Sequence, residues 1–166
     1  MSLRQFDPPL GRQTIETGLA VIVFLLALVL LVDVPAAFVP LLSLWRPATM
    51  LVPGLLALSV LLGVGAHAVR LASRLTAGED RTRPGDTALS CLLASLALGV
   101  LAVYTLWWSV VGLYIVYLAD TGGVLVAPLF AVIFGSLLGV LVMLRTVVAR
   151  LFPDRLPARF RGTVRE

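Results

Sequence analysis

The sequence predicts an all-α membrane protein, a four-transmembrane-helix bundle with both termini cytoplasmic. Three observations carry this reading. First, 23 residues without a charge separate Arg46 from Arg70, 33 separate Asp86 from Asp120, and 24 separate Asp120 from Arg145. An α-helix needs about 20 apolar residues to cross a ~30 Å hydrocarbon core. Second, the chain is 60% hydrophobic and only 13% charged, against roughly 25% charged in soluble domains. In water, its apolar runs would leave large exposed patches; in lipid they are at home. Third, the arginines fall almost entirely on one side of the proposed crossings.

The first span is the shortest. Its uncharged part, Thr17–Val32, has 16 residues, about 24 Å of helix. Glu16 and Asp33 must then lie near the two interfaces, and the span is placed at residues 15–33. A cleaved signal peptide would also have an apolar core here. The long preceding region with Asp7, Pro8, Pro9 and Glu16 argues against that, so the span is read as retained. Residues 34–45 are too few to cross and contain Pro35 and Pro40; they are expected to form an external connection.

The second span is placed at residues 48–70. The third occupies 87–110 of the 33-residue run, which is too short for two crossings and a turn. The remainder, containing Gly112, is expected to project outside or bend along the interface. Trp107, Trp108, Tyr104, Tyr114, Tyr117 and Trp45 then form an aromatic belt at the outer boundary. The fourth span is placed at 123–147, with a kink expected at Pro128. One membrane domain, residues 1–166, accounts for the whole chain, ending in a basic cytoplasmic tail at 150–166.

Orientation follows from the 13 arginines. Two lie before the first span (Arg4, Arg12), one in the first connection (Arg46) and four in the second (Arg70, Arg74, Arg81, Arg83). None lies in the third, and six lie at the C-terminal end (Arg145, Arg150, Arg155, Arg159, Arg161, Arg165). Four crossings put twelve of the thirteen on one side, the cytoplasmic side by the positive-inside rule. This arrangement, with the arginines flanking apolar runs, also speaks against nucleic acid as the partner. The absence of lysine and asparagine fits a GC-rich prokaryotic genome, since their codons are AT-rich, and points to the plasma membrane of a prokaryote as the location.

Small residues define candidate packing faces. Ser59, Gly63, His67, Arg70 and Arg74 share one face of the second helix, and Thr87, Cys91, Ser95, Gly99 and Ala102 share one of the third. Gly135 and Gly139 form a GxxxG on the fourth. Such residues let membrane helices approach closely. Packing within the bundle is the expected use, with homo-oligomerisation as the alternative.

Chemistry is sparse. His67 is the only histidine, so neither a bis-histidine haem nor a zinc site is available within one chain; no cofactor or metal is expected. His67 is instead a polar, pH-sensitive candidate near the cytoplasmic boundary. No acidic residue falls near the middle of any span, whereas ion-coupled transporters usually carry one there. Glu16, the nearest, sits at the end of its own span. Asp33, Arg46 and Asp120 form a candidate outer cluster. No G-x-S-x-G is present and the single histidine would have to serve as base, so an enzyme is not expected. Arg155, Arg159, Arg161 and Arg165 are placed to contact anionic lipid headgroups or a cytoplasmic partner. The leading expectation is a non-enzymatic accessory or assembly subunit of a membrane complex. The alternative is a small homo-oligomeric transporter or channel, its path along Ser59, Gly63, His67, Ser95 and Gly99.

Overall fold

A computed structural model describes residues 11–31, 39–76, 86–119 and 126–151. They form four helices: α1 (Arg12–Leu31), α2 (Val39–Thr76), α3 (Asp86–Tyr117) and α4 (Val126–Leu151). Each is long and apolar enough to span a membrane. Gly11 caps α1, its carbonyl accepting from Thr14 N at 2.6 Å. α3 closes with Leu118 N and Ala119 N donating to the Tyr114 carbonyl at 2.9 and 3.1 Å.

The helices form a diamond in cross-section. α2 and α4 meet across its short diagonal, while α1 and α3 flank them without touching each other among the described residues. Small residues permit the central contact. A Cβ at Gly135 would stand 2.7 Å from Pro53 Cβ of α2 and 3.3 Å from Val23 Cγ1 of α1. One turn further, a Cβ at Gly139 would lie 3.2 Å from the Ala20 carbonyl oxygen. Both glycines of the GxxxG are thus covered by helices of their own chain. On the α2–α3 side, Gly54 stands against Ser109 and Gly99 against Val64. Lipid supplies no hydrophobic drive between helices, so this close van der Waals fit is the main cohesive contact.

Thr105 and Ser109, both buried, donate to the carbonyls of Leu101 and Thr105 at 2.9 Å. Their hydroxyls are satisfied four residues back on the same helix, so they pack as small residues. An aromatic ladder joins α3 to α4: Trp108 stacks on Phe130 with centroids 4.7 Å apart, and Tyr104 meets Phe134 edge-on at 4.7 Å.

Several local expectations change. α3 continues unbroken through Gly112, which is buried where a Cβ would meet Met50 of α2 and Pro128 N of α4. Gly112 serves close packing there, and no bend is needed. α2 begins at Val39, so residues 39–45 belong to a helix and not to a connection. Pro128 is the third residue of α4, where its missing N–H has no intrahelical acceptor to lose. Pro47 and Pro53 lie inside α2 instead. Trp107 is exposed whereas its neighbour Trp108 turns inward on Phe130. Its Nε1 is buried and finds no acceptor among the described residues. Only one of these two tryptophans faces the surroundings as a belt residue would.

Two glycine substitutions separate packing from helix propensity. Gly135→Ala should destabilise the bundle by about 1–3 kcal/mol through overpacking against Pro53. Gly65→Ala, whose Cβ would meet nothing within 4 Å, should be neutral or stabilise by up to about 1 kcal/mol. Reversible unfolding in bicelles measures both, and equal effects would contradict the packing account.

Candidate functional site

Two ion pairs of the described residues meet at one place, a three-helix junction around Glu16. This carboxylate lies on α1 one turn after Arg12, and only 4% of the residue is exposed. Its Oε1 accepts from Arg12 Nε at 3.0 Å and lies 3.5 Å from Ser59 Oγ of α2, the long limit of a hydrogen bond. Its Oε2 accepts from Arg145 Nη2 of α4. Arg12 in turn donates through Nη2 to the Ser59 backbone carbonyl. Four residues on three helices thereby share one network.

Local sequence explains each position. Arg12 and Glu16 stand four apart and so share a face of α1. Arg12 is the first residue of its helix, where the macrodipole disfavours a cation; the carboxylate one turn on offsets this. Gly63, one turn after Ser59, leaves the space the Arg12 guanidinium fills, and any Cβ there would overlap it. Arg145 interrupts the apolar run of α4 and reaches back across the α1–α4 seam that Gly139 and Ala20 bring together.

Burial of the carboxylate decides the character of the junction. Glu16 stands near the start of α1 and Arg145 near the end of α4, beside Ser59 of α2. A buried carboxylate is costly unless paired. Here the paired arginines supply the partners, and they remain more accessible than the carboxylate: side-chain exposure is 45% for Arg12, 32% for Arg145 and 6% for Glu16.

The sequence-derived candidates distribute unevenly around this junction. Ser59 belongs to it and Gly63 forms its wall. His67 is exposed, one turn further along the same face. Ser95 is half-buried and Gly99 is buried against Val64 on the α2–α3 side. Gly135 and Gly139 lie on the α1–α4 and α2–α4 seams. Asp33, Asp120, Arg155, Arg159, Arg161 and Arg165 fall outside the described residues; Arg46 falls in α2 with its side chain outside them. Among the described residues, the carboxylate that is buried is Glu16.

The junction was missed because its parts are 43 and 129 residues apart along the chain. Two local signals existed: the Arg12–Glu16 spacing, and Arg145 followed by Thr146, Val147, Val148 and Ala149 before the next charge. No group of three or more His, Cys, Asp or Glu that could hold a metal occurs among the described residues.

Replacing Glu16 with Ala should destabilise the bundle by about 2–4 kcal/mol, because two arginines lose the buried carboxylate they share. Arg12→Ala should cost about 1 kcal/mol, since its side chain is the more solvent-accessible of the pair. Unfolding measured by steric trapping gives the order directly. An Arg12 effect equal to or larger than that of Glu16 would contradict the hub role of the carboxylate. Comparison of the chain with protein-family models, with curated proteins and with solved structures gives no significant match.

Proposed function

We propose that this chain is a non-enzymatic accessory or assembly subunit of a membrane complex, a multi-pass protein of a prokaryotic plasma membrane with both termini cytoplasmic. The observation that supports this reading best is the Arg12–Glu16–Arg145–Ser59 network. It ties three helices together through one carboxylate, which suits a scaffold that must hold its shape while presenting its surface to partners. The Gly135 and Gly139 contacts are likewise used within the chain, leaving large aliphatic and aromatic residues outward (Trp107, Tyr114 and Tyr117 on α3, for example). The N-terminus of α1 and the C-terminus of α4 lie at one end of the bundle, joined through Glu16 and Arg145. That geometry is compatible with an even number of crossings, and the arginine distribution assigns this end to the cytoplasm.

A second reading draws on one specific observation. A buried carboxylate on a helix apolar enough to span a membrane is the kind of group that couples ion movement in transporters. In a homo-oligomeric transporter, Glu16 would take that part, with His67 beside the path.

Gentle detergent extraction of the tagged chain from its native membrane, followed by mass spectrometry, separates the two. The subunit reading expects stoichiometric co-purifying partners, and Glu16→Gln to reduce assembly. Recovery of this chain alone as a defined oligomer would overturn it, and proton or cation flux in liposomes that depends on Glu16 or His67 would install the transporter in its place.

A further inference from the structure

A groove of about 500 Å³ opens between α1 and α2, walled by Ile15 and Leu19 on one side and Leu55, Leu58 and Leu62 on the other, with Arg12 at one end. Ile15, Leu55, Leu58 and Leu62 are exposed within it. The apolar walls run in one direction from Arg12, away from the end of the bundle where α1 begins. From Arg12 to Leu19 they extend about 10 Å. His67, one turn beyond Gly63 on the Ser59 face, is exposed on the opposite side of Arg12.

Among the described residues, charge at the Arg12 end is unbalanced. Two guanidiniums, of Arg12 and Arg145, share the single Glu16 carboxylate. Arginine carries five N–H donors. Arg12 uses one on Glu16 and one on the Ser59 carbonyl, and its remaining donors meet no acceptor among the described residues. An arginine with spare donors at the head of a leucine-lined groove, on a wall that faces lipid, matches one class of molecule.

We propose that this groove binds an anionic phospholipid of the leaflet nearest the chain's termini. Its phosphate accepts hydrogen bonds from Arg12 and offsets the excess positive charge. One acyl chain follows the Ile15–Leu19 and Leu62–Leu55 walls toward the membrane interior. The site is distinct from the basic tail, whose attraction for headgroups would be diffuse, and it requires only that the chain lies in a bilayer, whichever functional reading holds.

Native mass spectrometry of the full chain in detergent, titrated with phosphatidylglycerol or phosphatidylcholine of matched acyl chains, tests the site. The wild type should bind phosphatidylglycerol about tenfold more tightly, as expected for a charge-assisted contact at low dielectric. Arg12→Gln should remove that preference. Leu58→Trp, which fills the groove and leaves every charge in place, should weaken both lipids and decides the matter should Arg12→Gln fail to fold. A variant carrying R155Q, R159Q, R161Q and R165Q should keep the preference. Equal affinity for the two lipids would overturn the proposal. So would a preference that survives Leu58→Trp but disappears with the tail arginines, or displacement of the lipid by millimolar inorganic phosphate.

Discussion

The placement of α1, α2 and α4 turns on the need to neutralise one buried carboxylate. Glu16 is too buried to be left unpaired, so α1 must sit where Arg145 of α4 and Ser59 of α2 can reach it. That requirement fixes the axial register of three helices at once. A slide of α1 by one turn, about 5.4 Å, would strand the charge in a leucine-lined wall. Purely apolar faces hold no such preference, because neighbouring registers of leucine against leucine differ little in lipid.

The small residues do the complementary work of setting distance. Gly135 and Gly139 let α4 touch both Pro53 and the Ala20 backbone, and this brings the α1–α4 seam close enough for Arg145 to span it. Gly63 makes room for the Arg12 guanidinium. Without these glycines the helices would stand apart by a side-chain layer and the carboxylate would lose its distant partner. Close approach and charge neutralisation are therefore one design, in which packing positions the ions and the ions pin the packing.

How much of this was legible in the sequence follows from the range of each interaction. Uncharged runs bounded by charged residues are local and marked all four helices. The small-residue faces were also local, and Ser59, Gly63, Gly99, Gly135 and Gly139 could be placed on helix faces by period alone. What those faces meet is a long-range property. Gly112 looked like a break because nothing local reveals Met50 and the start of α4 opposite it. Glu16 read only as a charge at the end of its span because its burial is set by Ser59 and Arg145 on the helices beside it, far away in sequence.

The coupling between Glu16 and Arg145 is the interaction that sets the register of α1 against α4. A double-mutant cycle using Glu16→Gln, Arg145→Gln and the pair, with unfolding followed by steric trapping in bicelles, isolates that term from the cost of either change alone. The bridging role predicts a coupling energy of about 1–3 kcal/mol, the range for charged residues in contact. A coupling indistinguishable from zero would mean that the bundle holds its register by packing alone, and that the carboxylate is carried by the fold without organising it.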